Sequence, residues 1–141
     1  MITTSEIAAR VEDDRLPLLT LDEFFEGNVR EDSLPPSRQG LRRPPLADIV
    51  ARLRDVAARD DVEWVRVALH DDSQLDDADG DVIAESVLFA TTLPAADLEE
   101  AVDIAWLRSD GVVESDESSL EDYTEIPAVS GHHRVVFLVW D

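Results

Sequence analysis

Two periods divide this chain. The period of two is clearest in "VEWVRVALH", where Val65, Val67 and Leu69 share one face and Trp64, Arg66 and Ala68 share the other. "VIAESVLFATT" predicts a second strand from about Glu85 to Thr91. The terminal "HRVVFLVWD" predicts a third, and its unbroken apolar run from Val135 to Trp140 predicts burial on both faces. The helical period begins after Pro45, with Leu46, Ile49, Val50, Leu53, Val56 and Ala57 on one stripe and "DD" at 60–61 ending it. A second helix opens at Pro94, carries Leu98, Ala101, Val102 and Ala105 on one face, and stops at Asp110–Gly111.

The N-terminal third is less regular. In "LPLLTLDEFFEGN", Leu16, Leu18 and Leu19 predict a short extended segment entering a helix. Thr20 and Glu23 stand at capping-box spacing, Phe24 and Phe25 are the anchors, and Gly27 can take the positive φ that ends the helix. Residues 1–15 read as a flexible or weakly helical segment with Ile7, Ala8 and Val11 along one edge, and residues 16–141 as a single domain. "VREDSLPPSRQGLRRP" (29–44) reads as loop, because it holds three prolines and a glycine. "GVVES" suggests a short strand, and "DESSLEDYTEIPAVSG" a long excursion.

The order strand, helix, strand, strand, helix, strand predicts an α+β fold: an antiparallel sheet with helices packed on one face, in ferredoxin-like (βαββαβ) order. Its weak element is 16–19. Without that strand the remaining elements still give an antiparallel sheet covered by helices on one face.

Composition then narrows the class. The chain of 141 residues is 44% hydrophobic, enough for one core. No cysteine is present, which removes disulfides and thiolate chemistry together. No apolar run approaches the roughly 20 residues that cross a bilayer. "MITTSEIAARVEDD" lacks the basic start and apolar centre of a secretion signal, so a cytoplasmic protein is expected.

Charge changes the picture most. Twelve basic residues, all arginine, stand against thirty-three acidic ones, a net of −21. Nucleic acid and anionic lipid are therefore disfavoured as partners, because positive charge must meet phosphate. A basic protein partner is compatible with this charge. Proteome-wide acidity would give the same composition without any partner.

The stretch "HDDSQLDDADGDVIAES" (70–86) is the sharpest candidate for chemistry. Gly80 at position 6 of a calcium loop puts Asp77 and Asp79 at positions 3 and 5, but leaves Leu75 at 1 and Ser86 at 12. Both end ligands fail, so no metal or cofactor is expected. What remains is a solvated hairpin loop or an acidic docking surface made of Asp71, Asp72, Asp76, Asp77, Asp79 and Asp81. His132 and His133 are adjacent and would point to opposite faces of a strand, and His70 lacks a second spaced ligand.

Arg38, Arg42 and Arg43, in an arginine island with Arg30, form a candidate anion site, or fold back on the protein's own acidic surface. Trp64 and Trp140 form a candidate interface, including one between two copies, unless the N-terminal segment covers that face. Nucleophile elbows, phosphate loops and zinc-protease motifs are absent from the sequence.

"LTLDEFFEGN" (19–28) and the closing "VWD" (139–141), with "RPPLADIVARLRDVAARDDVEWVRVALHD" (43–71) between them, resemble a family of small, acidic, uncharacterised bacterial proteins. The resemblance implies the same element order and a bacterial source, and supplies no activity. Family members carry tryptophan–proline pairs where this chain has "DVIAE" (81–85) and "VESDES" (113–118), so a pocket lined by those aromatics would be lost here. The functional expectation is a non-enzymatic interaction protein, immunity- or inhibitor-like, facing a basic partner. Its alternative is a small-ligand-binding or enzymatic domain built on the arginine island 30–43 and nearby carboxylates.

Overall fold

The fold is taken from a computed structural model, which describes residues 1–34, 44–70, 73–76, 80, 82–114 and 120–140. Its elements run α1 (Thr4–Arg10), β1 (Leu16–Pro17), α2 (Leu21–Phe25), a 3-10 turn (Glu31–Ser33), α3 (Leu46–Ala57), β2 (Val62–Leu69), β3 (Ala84–Thr91), α4 (Ala95–Val102), α5 (Ile104–Leu107), β4 (Gly111–Glu114), β5 (Tyr123–Thr124) and β6 (Arg134–Val139).

The main sheet is antiparallel throughout, in the order β2-β3-β6-β4. Among the described residues, each of the helices α1 to α5 contributes to one apolar cluster on a single face of it. There Ile7, Phe24, Leu53, Leu98 and Leu107 meet Val65, Val67, Phe89, Val136 and Leu138. This is the expected α+β arrangement. The ferredoxin-like order is not confirmed, because Leu16–Pro17 pairs in parallel with β5 as a separate two-stranded ribbon. Pro17 has no N–H for a ladder, which keeps this segment out of a sheet interior. Leu19 alone reaches the main sheet, through two reciprocal hydrogen bonds to Val67 (2.9 and 2.7 Å) at the outer edge of β2.

Period two on β2 sorts as expected: Val65, Val67 and Leu69 lie under the helices, and Trp64 and Ala68 lie on the other face. The strand β6 meets apolar groups on both sides, with Val136 and Leu138 toward the helices and Val135 and Phe137 away from them. Its neighbours explain this double burial. The second face is closed by Leu18 and Tyr123, with Leu120 and Ile126 packed around them.

Helix ends follow local chemistry. Thr20 Oγ1 accepts the Glu23 N–H at 3.1 Å, and Glu23 Oε1 accepts the Thr20 N–H at 2.9 Å, completing the capping box. Gly27 then takes φ +75°. Removing the cap with Thr20→Ala is expected to cost about 1 kcal/mol of stability in urea unfolding, and Thr20→Ser to restore most of it. A serine variant as unstable as the alanine would show that the hydroxyl is not the source of the loss.

The sequence predicts one helix from Pro94 to Asp110, and the structure breaks it at Asp103. That residue adopts the left-handed conformation (φ 60°) and its carboxylate caps the Trp106 N–H at 3.3 Å, which starts α5 afresh. Aspartate tolerates this conformation because its side chain replaces a lost backbone bond. The break presents Trp106 to Arg52 of α3, whose guanidinium lies 5.0 Å from the ring centroid.

Within residues 1–15, Thr4–Arg10 is helical and packs on the core. Thr3 caps the helix through the Glu6 N–H, and Ile7 is fully buried. Arg10 at its end donates to Glu125 (2.6 Å) and to Glu23 (2.7 Å), joining α1, the α2 cap and the segment after β5.

Candidate functional site

The acidic stretch is the connection between β2 and β3, and its base is tied down. The His70 N–H donates to Ile83 O at 2.7 Å, while Ser73 Oγ accepts the Ile83 N–H at 3.1 Å. Leu75 is half-buried against the helical core and Asp76 is exposed. Asp71, Asp72, Asp77, Asp79 and Asp81 lie outside the described residues. Among those described, no cluster of three histidine or carboxylate groups is arranged to hold a metal ion.

Arg38, Arg42 and Arg43 also lie outside the described residues. The chain on either side of them is anchored: Leu34 is fully buried, and Glu31 Oε1 accepts the Leu46 N–H at 3.1 Å. A groove of about 470 Å³ borders this region between α2 and α3, with Phe25, Leu46 and Val50 in its wall and Val29, 87% exposed, at its rim.

The two tryptophans are placed on opposite sides of the sheet. Trp64 is 7% exposed, lies under the chain's own 120–128 segment, and donates its indole N–H to Ala128 O at 3.1 Å. Trp140 packs at the edge of the helical core and donates to Leu107 O at 3.1 Å. Phe137, not Trp140, shares the face of Trp64. That face is closed within the chain by Leu18 and by Leu120, Tyr123 and Ile126, and no described residue of 1–15 belongs to that cluster.

A second groove, of about 590 Å³, was not legible in the pattern. It lies between the start of α2, the end of α3 and the outer edge of β2, with Thr20, Asp22, Arg54, Glu63, Val65 and Arg66 around it. Arg66 is half-buried and its guanidinium lies 5.9 Å from the Trp64 ring centroid. Burial pulls its pKa down from the ordinary arginine value, and the nearby Glu23 charge acts against that only in part.

Every described carboxylate reaches the surface, since the buried polar residues are Thr4, Ser33, Ser86 and Thr91. Among the described residues three carboxyls have displaced pKa values, and all three move down. Burial acts to raise Glu23, but the Thr20 N–H and Arg10 outweigh it. Asp61 is lowered by its hydrogen bonds from Arg59, and Glu63 by the hydroxyl and N–H of Ser130. Downward displacement marks a stabilised anion, whereas a general acid at neutral pH needs the opposite.

These features define a small α+β protein with an outward-facing acidic surface and, among the described residues, no helix long and apolar enough to cross a membrane. The chain belongs to the uncharacterized protein YfbO family, whose model matches residues 2–138. No curated protein and no solved structure matches it.

Proposed function

We propose that this is a cytoplasmic, non-catalytic interaction protein, immunity- or inhibitor-like, whose acidic surface receives a basic protein partner. The observation that carries this reading is the placement of charge. The net is −21, and no described Asp or Glu is among the buried residues. At the described surface, Arg10, Arg15, Arg54, Arg59 and Arg134 hold six carboxylates, in a chain with thirty-three acidic residues. Such a surface steers an oppositely charged protein toward it and discourages anionic competitors. Asp76, in the connection that follows the His70, Ser73 and Ile83 bonds, is exposed and adds to that surface.

The test is affinity capture from the source cell followed by binding titrations of each recovered partner. A basic protein is expected, with affinity falling steeply between about 50 mM and about 500 mM salt as the Debye length shrinks. Charge-reversing the exposed Asp76 to lysine should weaken binding further. Recovery of partners whose affinity ignores both salt and Asp76→Lys would defeat the proposal.

A further inference from the structure

The groove beside β2 has features that the acidic surface does not explain. Val67 turns both its N–H and its C=O outward to Leu19. Val65, two residues earlier in a regular stretch of the strand, must therefore turn its own N–H and C=O toward the same edge. The chain enters α2 at Thr20, so among the described residues no strand continues alongside Val65. Arg66 Nη1 covers the Val65 carbonyl at 2.9 Å, while the Val65 N–H has no acceptor among the described residues. Arg66 makes that single hydrogen bond there and meets no carboxylate within ion-pair distance among the described residues.

In a chain with thirty-three acidic residues this needs a cause, and the neighbours supply it. Each carboxylate around the groove is held elsewhere. Glu23 is bound by Arg10 and the Thr20 N–H, Asp22 by Arg54 at 2.9 Å, and Glu63 by the Ser130 N–H and hydroxyl at 2.8 and 2.6 Å. The groove thus keeps a half-buried guanidinium, whose one hydrogen bond goes to the Val65 carbonyl, and a backbone N–H facing one space, with no carboxylate on the first and no acceptor for the second among the described residues. Both are donors, and a planar fork beside an amide N–H suits a carboxylate.

We propose that the Arg66–Val65 groove binds a carboxylate group, one oxygen on the guanidinium of Arg66 and one on the Val65 N–H. The carboxylate belongs to a small organic acid or to a peptide C-terminus, which present the same chemistry. The long-range repulsion from the −21 charge opposes entry, and salt screens it more than it screens the half-buried contact. Carboxylate binding should therefore hold or strengthen with salt, opposite to the behaviour expected of a basic partner, and the two proposals can fail separately.

The experiment is a ¹⁵N NMR titration at constant ionic strength, with chloride as the balancing anion. The probes are acetate, an acetylated dipeptide with a free C-terminal carboxylate, and the same dipeptide as its C-terminal amide. Saturable shifts of the Val65 amide and the Arg66 Nε–H are expected with acetate, with the acid peptide, or with both, and none with the amide. Acetate alone assigns the site to small acids, and the acid peptide alone assigns it to chain termini. Arg66→Met should weaken binding about tenfold or more, the loss of one charge-assisted pair. Arg66→Lys, which keeps the charge but not the fork, should weaken it less and serves if the methionine variant does not fold. Arg59→Gln removes the same charge at a site away from the groove, where Arg59 is paired with Asp61, and should bind like the parent. Unsaturable shifts, equal response to the amide, or equal loss in Arg59→Gln would overturn the proposal.

Discussion

Phe24→Ala is expected to lower the unfolding free energy by about 3–5 kcal/mol, the cost of deleting a fully buried aromatic ring and leaving its cavity. The ring sits where α2 meets α3 and β2, in edge contact with Phe25 at 4.9 Å between centroids and 83° between planes. A helix of five residues has almost no stability of its own. It persists because its cap is satisfied and its two rings are buried, so losing one ring should also loosen the Leu19–Val67 junction that precedes it. Urea unfolding monitored by tryptophan fluorescence gives the stability, and thermal melting should show a drop of roughly 10 °C or more. Val29→Ala is the control, because Val29 is 87% exposed and should change stability by no more than about 0.5 kcal/mol. A Phe24 variant within about 1 kcal/mol of the parent would mean that α2 is not docked as described.

Much of this architecture could be read from local pattern, and the exceptions share a cause. Alternation at Val65, Val67 and Leu69 fixed both faces of β2, since each face meets only one environment. The Thr20–Glu23 spacing located the start of α2 because a capping box is complete within four residues. The break at Asp103 was not visible, because aspartate's preference for caps is weak beside an apolar helical pattern that runs on through Ala105. What decides is distant: the packing of Leu107 in the core and of Trp106 against Arg52.

Strand order was beyond the pattern for the same reason, although Pro17 carried a usable warning against a sheet-interior position. The groove at Arg66 was the least legible part. From sequence, Arg66 is one polar residue in an alternating strand. Its lack of a carboxylate partner depends on Arg10, Arg54 and Ser130 engaging Glu23, Asp22 and Glu63, contacts that span from 13 to 67 residues. The acidic loop shows the converse: its composition was evident from the start, but composition names a charge and not the residues that will be touched.

Arg10→Met should cost about 1–3 kcal/mol at neutral pH, and the loss should shrink on acidification. The Glu125 bond raises the Arg10 pKa most, but Glu125 is 45% exposed against 32% for Glu23, so solvent discounts the Glu125 pair more. The Glu23 pKa lies below its unfolded value in the folded state, which fixes the direction. A depressed carboxyl contributes stability above the unfolded pKa, near about 4.3, and loses it as pH falls through the folded value. The gap between parent and Arg10→Met should therefore be widest near neutrality and close progressively below about pH 4. Global self-repulsion changes with pH in both proteins and largely cancels in the difference.

Glu23→Gln separates the pair from the cap, because glutamine still serves a capping box while lacking the charge. In that background Arg10→Met should cost little beyond the residual bond to Glu125, giving a coupling energy of about 1–2 kcal/mol. A pH-independent gap, or full additivity of the two substitutions, would show that Arg10 acts by packing alone. The predicted coupling would instead place this one arginine at the join of α1, the α2 cap and the segment that closes the second face. That same join withholds Glu23 from Arg66, so Arg10→Met should also draw Glu23 toward the groove and weaken carboxylate binding there.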